Sequence, residues 1–151
     1  MNVFQEFSSL VSALGREEIR YALVGGVALA FYTEPRFTRD IDILVYSGDF
    51  LKVKKIIEDR GYFESISPWK FQKISITLHR FFKAHDDEEM LIDILEGSGN
   101  EVERIIASSV VAESEDGSVN VIRKEDLIGL KRIRNSKQDQ ADIERLKNEE
   151  G

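Results

Sequence analysis

Two short apolar runs in this chain carry carboxylates where a buried strand usually has none. The first is D-I-D-I-L-V, Asp40 to Val45. The second is L-I-D-I-L, Leu91 to Leu95. Side chains alternate across a strand with a period of two, so Asp40 and Asp42 share one face while Ile41 and Ile43 share the other. By the same rule Asp93 points away from Ile92 and Ile94. The isoleucines demand a core on one side of the sheet. The acids demand a partner on the other, because a carboxylate in apolar surroundings is costly unless it is paired or hydrogen-bonded. Two parallel carboxylates repel each other and want a cation between them, and a hard ion such as Mg²⁺ accepts oxygen ligands of this kind. If the two strands are neighbours, Asp93 completes a three-carboxylate cluster.

The periodicity around these strands predicts the remaining elements. Residues 3–18 place Val3, Phe4, Phe7, Leu10, Val11 and Leu14 at helical spacing. Arg20 to Val24 reads as a short buried strand that ends at Gly25-Gly26. A short apolar helix follows over Val27 to Tyr32. The order strand, Gly-Gly, helix is the context a ligand-facing turn needs. Gly48 to Arg60 reads as a helix closed by Gly61. Phe71 to Leu78 alternates as a strand with Ile74, Ile76 and Leu78 on its apolar face, and His79 to Phe82 can extend it. Asp86 to Glu89 is an acidic turn before the strand Met90 to Leu95. A helix over Val102 to Ser108, a polar turn over Ser114 to Ser118 and a strand over Val119 to Ile122 come next. The chain then reads as two helices, Lys124 to Arg134 and Gln138 to Glu150, joined at Asn135 to Lys137. Interleaved strands and helices of this kind define an α/β (α+β) fold: a mixed β-sheet flanked by helices, with a C-terminal helix pair.

Composition narrows the function classes. The 151 residues suit one domain, 1–151, with a core over about 19–122 and a helical tail over about 124–150. The chain has no cysteine, which removes disulfides, thiolate zinc sites and cysteine nucleophiles. It also fits a reducing compartment, and the cytoplasm is the expected location. The start MNVFQEFSSL has no basic stretch ahead of an apolar core, so it does not read as a secretory signal. The longest strongly apolar run, Tyr21 to Tyr32, is too short to span a bilayer. A net charge of −7 argues against broad nonspecific nucleic-acid binding, which needs a basic surface. His79 and His85 lack metal-ligand spacing and read as structural or surface groups. Trp69 reads as a core or rim residue.

Four stretches, LVGGVALAFY, PRFTRDIDILV, LIDIL and GLKRIRNSKQDQADIERL, together resemble the nucleotidyltransferase superfamily. More narrowly, they resemble the small bacterial domains related to the AbiE-type toxin. The pattern is a paired-small-residue turn, here Gly25 and Gly26, then an acidic pair, Asp40 and Asp42, then a third acid on a later strand, Asp93. The resemblance implies a nucleotidyltransferase-like core. It also implies metal-dependent transfer of a nucleoside monophosphate from a nucleoside triphosphate to a hydroxyl of RNA, protein or a small molecule, with a partner protein as a further possibility. Asp40, Asp42 and Asp93 would be the catalytic and metal residues for Mg²⁺ or Mn²⁺. Gly25 and Gly26 would let the backbone approach phosphate. Arg36 and Thr38 would bind phosphate or brace the acidic loop, with Arg39 beside them, and Lys131 and Arg134 would reach the triphosphate. Asp139 is expected to brace a basic residue or cap the last helix. The alternative from a different class is a non-catalytic nucleotide-binding or regulatory module of the same fold that acts with a partner protein. Turnover separates the two readings.

Overall fold

The computed structural model describes residues 3–33, 40–114 and 117–148. Arg36, Thr38 and Arg39, singled out above, lie outside the described residues. The elements are α1 (Val3–Arg16), β1 (Tyr21–Val24), α2 (Gly25–Leu29), β2 (Asp40–Tyr46), a 3-10 turn (Ser47–Asp49) running into α3 (Phe50–Glu58), β3 (Phe63–Glu64), β4 (Trp69–Lys70), β5 (Ile76–His85), β6 (Glu88–Gly97), α4 (Asn100–Ala107), β7 (Val110–Ser114), β8 (Gly117–Val121), α5 (Lys124–Arg134) and α6 (Lys137–Asn148).

The strands form one mixed sheet in the order β3-β5-β6-β2-β1-β8-β7, with β4 also pairing β5. The two acid-bearing strands, β2 and β6, are neighbours and run parallel. β1 lies antiparallel to β2 and parallel to β8. β5 and β6 form a long antiparallel hairpin in which His85 pairs with Glu88 across Asp86-Asp87. Ile41, Ile43, Ile92, Ile94 and Leu23 are buried in these central strands, as their alternation requires. On their side of the sheet lie α1 and α3. Leu10, Leu14, Val53 and Ile57 are fully buried there, and the Phe50 ring of α3 stacks on His79 of β5 at 4.0 Å. Lys83 of β5 binds Glu6 of α1 at 2.9 Å. The opposite face carries the acids, and Leu127 and Leu130 of α5 line one small cavity over it with Leu78 and Leu95.

Three elements differ from the sequence expectation. The alternating run that starts at Phe71 is not one strand. Trp69–Lys70 folds back to pair with Leu78 and Thr77, and the turn between is closed by Phe71 N–H donating to the Ile76 carbonyl at 2.9 Å. The strand proper begins at Ile76 and extends to His85. Period two survives through the turn because Ile74 and Ile76 both keep contact with the core, so periodicity alone cannot see the break. The edge strand β7 has no sequence signature: Val110 and Val111 are both exposed, so no alternation marks it. The helix after β1 starts at Gly25 itself and is five residues long.

Phe81 is among the largest fully buried side chains and sits in the middle of β5. Phe81→Ala is expected to cost about 3–5 kcal/mol, read as a lowered urea midpoint with an unchanged slope.

Candidate active site

The parallel register of β2 with β6 pairs Asp42 directly with Asp93, with Asp40 two residues back opposite Leu91. Adjacent strands lie about 4.8 Å apart, and the Asp42 and Asp93 carboxyl groups are within hydrogen-bonding reach of each other. Asp93 is 4% exposed. The apolar residues on the reverse face fix this arrangement: sliding either strand by one position would put isoleucine on the acid face.

Gly25 completes the corner. Val24 pairs with Asp42, and Gly25, next along the chain, has a φ of +68°. A Cβ there would overlap the Asp42 carboxylate. Glycine is therefore required twice, by backbone conformation and by the acid packed against it. Gly26 is buried inside α2. At five residues, α2 adds little helix-dipole field of its own.

Charge in this corner is poorly balanced. Burial, then the neighbouring charges of Asp93 and Asp40, push the Asp42 carboxyl up to about 7, although Arg134 opposes the shift. Asp93 has a partner that sequence reasoning missed. Arg80 lies directly across β5–β6 from it, and its Nε and Nη2 donate to the two Asp93 oxygens at 2.8 Å each. The signal for Arg80 was the acidic turn. A hairpin closing on Asp86-Asp87 counts back to place residue 80 opposite residue 93.

The C-terminal pair brings the basic residues to the same corner. Arg134 donates from Nε and Nη2 to Asp139 at 2.8 and 2.7 Å. Asp139 also accepts from the backbone N–H and hydroxyl of Ser136, while its own N–H donates to that hydroxyl. This is a capping box at the start of α6, with aspartate in the usual glutamate position. Burial raises the Asp139 pKa, but the bonds from Arg134 and Ser136 outweigh it and hold the group at about 2. Asp139 thus both braces a basic residue and caps the helix, the two roles expected of it. The Arg134 side chain is 45% exposed and lines the corner with Gly25 and Asp42. The Lys131 stem lines it too, but its amine is buried against Asp142 at 3.0 Å. Reaching a phosphate would require Lys131 to leave that pair.

Beneath α5 the corner leaves a cavity of about 30 Å³, room for a water molecule and no more. A cavity of about 440 Å³ adjoins it at Leu130 and is lined by Lys73, Ser98, Asn100, Asp126 and Ile133. Among the described residues, no three His, Asp or Glu side chains are gathered closely enough to hold a metal ion. The chemistry of the donors nevertheless suits a hard dication. Asp42 and Asp40 supply oxygen, and the raised Asp42 carboxyl marks negative charge that a divalent ion would relieve.

The chain belongs to the nucleotidyltransferase class, as the fold and a family match together establish. Residues 9–146 match the family described as the nucleotidyl transferase AbiEii toxin of a type IV toxin–antitoxin system, and the chain is a member of that family. Solved structures share the fold at low identity. Lincosamide antibiotic adenylyltransferase LnuA, solved with lincomycin bound, is 19% identical with a TM-score of 0.59, and 95% of each chain is covered. ANT(2")-Ia, solved with adenylyl-2"-tobramycin, is 12% identical with a TM-score of 0.62, covering 97% of this chain and 88% of that one. A protein of Thermotoga maritima assigned as a nucleotidyltransferase is 13% identical with a TM-score of 0.60, covering 91% and 90%. No curated protein sequence matches the chain. No helix among the described residues is long and apolar enough to cross a membrane.

The raised Asp42 pKa gives a pH prediction. In the folded chain the neutral form is favoured, so Asp42 adds a penalty that is absent below about pH 4 and complete above about pH 7. With divalent ions chelated, stability should fall as pH rises through that window. Asp42→Asn should recover on the order of 2 kcal/mol at pH 8, allowing for partial exposure, and nothing at pH 3.5. Urea denaturation across pH measures both.

Proposed function

We propose that this protein transfers a nucleoside monophosphate from a nucleoside triphosphate to a hydroxyl group, releasing pyrophosphate. The observation that carries this reading is the direct pairing of Asp42 with Asp93 beside the Gly25 corner. In this reading Asp40 and Asp42 hold a divalent ion, Mg²⁺ or Mn²⁺. When bound, that ion supplies charge neutralisation to the triphosphate. The Gly25-Gly26 backbone meets the phosphates where no side chain blocks the approach. Arg134, held in place by Asp139, offers its exposed edge to phosphate charge. Arg36, Thr38 and Arg39, just upstream of Asp40, would add to the same phosphate site. Asp93 orients the acceptor hydroxyl and takes its proton. The acceptor oxygen bonds to the α-phosphorus, and the bond from that phosphorus to the bridging oxygen breaks.

The acceptor is a hydroxyl of RNA, a protein or a small molecule. The adjoining cavity of about 440 Å³ supports a small molecule, as do the lincosamide and tobramycin named with two fold relatives. The net charge of −7 weighs against long RNA. Membership of a toxin–antitoxin family supports a cognate partner protein, and the substrate supports a cytoplasmic location.

Incubation with the four labelled nucleoside triphosphates, Mg²⁺ or Mn²⁺ and candidate acceptors should release pyrophosphate. Asp42→Asn and Asp93→Asn should each lower that rate by about 100-fold or more while leaving the far-ultraviolet circular dichroism unchanged. A folded wild-type protein that binds nucleotide but never turns over would favour the non-catalytic module.

A further inference from the structure

Two exposed aromatic rings stand on the acid face, one to each side of Arg80. Period two puts Leu78, Arg80 and Phe82 of β5 on that face, since Arg80 meets Asp93 there. The antiparallel register sets Phe63 of β3 opposite Phe82, and Trp69 of β4 opposite Leu78. Residues directly opposed in an antiparallel pair project to the same face. Phe63 is 56% exposed and Trp69 49%. His79 and Phe81, which point to the reverse face, are buried. Neither exposed ring is loose. Phe63 meets Phe82 edge-on at 5.5 Å and 74°, and Trp69 meets the buried Phe71 at 4.8 Å and 62°. Such edge-to-face pairs fix a ring's orientation before a ligand arrives.

The strip from Leu78 to Phe82 is about 14 Å long at the usual strand rise, which suits a flat body of about two rings. Its middle is a matched pair of charges, because Arg80 and Asp93 satisfy each other through two bonds of 2.8 Å. The strip therefore favours an uncharged body over an ionic one. Asp93 is 4% exposed beside Arg80, yet each carboxylate oxygen has a second lone pair for an incoming hydroxyl. The aromatic strip is thus continuous with the acid that takes the acceptor's proton.

We propose that Phe63, Phe82 and Trp69 form the acceptor platform, and that the acceptor is a small uncharged molecule whose flat aromatic or apolar ring carries the hydroxyl. The inference rests on the nucleotidyl-transfer reading and names a substrate class for it. The ring lies against the strip and its hydroxyl reaches Asp93 beside Arg80. The hydroxyl oxygen bonds to the α-phosphorus, its proton passes to Asp93, and pyrophosphate leaves.

Trp69 is the chain's one tryptophan, so its emission reports on this strip alone. The probe is biphenylmethanol, with excitation at the red edge of the tryptophan band and with Mg²⁺ and a non-hydrolysable nucleoside triphosphate analogue present. It should shift the Trp69 emission saturably. Phe63→Ala should weaken that binding about 10-fold. Leu51→Ala, which removes an exposed apolar side chain from α3 on the reverse side, should not. With hydrolysable triphosphates, biphenylmethanol should support pyrophosphate release. Phe63→Ala and Trp69→Ala should raise its KM about 10-fold and leave the KM for triphosphate unchanged. Phe63→Leu, which keeps an apolar side chain but loses the flat ring, carries both measurements if the alanine variants fail to fold. The absence of a saturable shift overturns the proposal. So does a shift given by a single-stranded oligonucleotide and not by biphenylmethanol, which assigns the strip to nucleic acid. If release proceeds with other hydroxyl acceptors whose KM is unmoved in both variants, the platform falls and the transfer reading stands. Saturable binding with no release from any triphosphate overturns the transfer reading, and the acceptor role of the strip with it.

Discussion

Repulsion between Asp42 and Asp93, held at one strand spacing, is the constraint to which the rest of the molecule answers. Left alone, two such acids would drive their strands apart or take up a proton. The parallel ladder of β2 with β6 prevents separation because Ile41, Ile43, Ile92 and Ile94 are buried on the reverse face. Moving the acids would mean exposing the isoleucines. The core therefore stabilises an arrangement that is electrostatically unfavourable, as functional corners of proteins commonly require. What remains uncompensated is written on Asp42, whose carboxyl is pushed up to about 7.

The neighbouring elements then divide the work of compensation. Arg80 answers Asp93 from β5. Gly25 gives Asp42 room by having no side chain. The α5–α6 pair supplies Arg134 and clamps it with Asp139, which is itself fixed by Ser136 at the α6 cap. Ion pairs, whether buried or half-exposed, contribute little net stability. Lys131 with Asp142 and Arg134 with Asp139 are better understood as devices that fix α5 against α6, and so fix where α5 meets the acid face.

Much of this was legible in the sequence, for physical reasons. Alternation in D-I-D-I and I-D-I fixes which side chains share a face, so the acid face of each strand followed directly. Their adjacency did not, because strand order depends on the whole sheet. The expectation that Asp139 braces a basic residue or caps the last helix came with the resemblance, and Ser136 as its partner emerged only in the structure. Arg80 was hidden because T-L-H-R-F-F-K presents a histidine and an arginine on opposite faces of one strand, and only the hairpin register shows which of them meets Asp93. The 71–75 turn was invisible because its isoleucines keep the strand period. β7 was invisible because an exposed edge strand has no buried face to reveal it. Lys131 looked equivalent to Arg134 by spacing. Burial separates them, since one amine is 3% exposed inside an ion pair and one guanidinium is open at its edge.

The turn at Asp86-Asp87 acts as a ruler. In the β5–β6 hairpin each pair of residue numbers sums to the same value, from Ile76 with Gly97 to His85 with Glu88. Lengthening or shortening the turn by one residue, with the distal strands left paired through the new count, would bring His79 or Phe81 opposite Asp93 and turn Arg80 to the core side. A loop far from the acids, exposed and tolerant by ordinary expectation, thus fixes which charge they meet. Among related chains, Asp86, whose φ is +56°, should give way only to asparagine or glycine, and the length of the turn should be kept. Length, more than residue identity, is the property by which an arginine on the preceding strand can be recognised as belonging to the site.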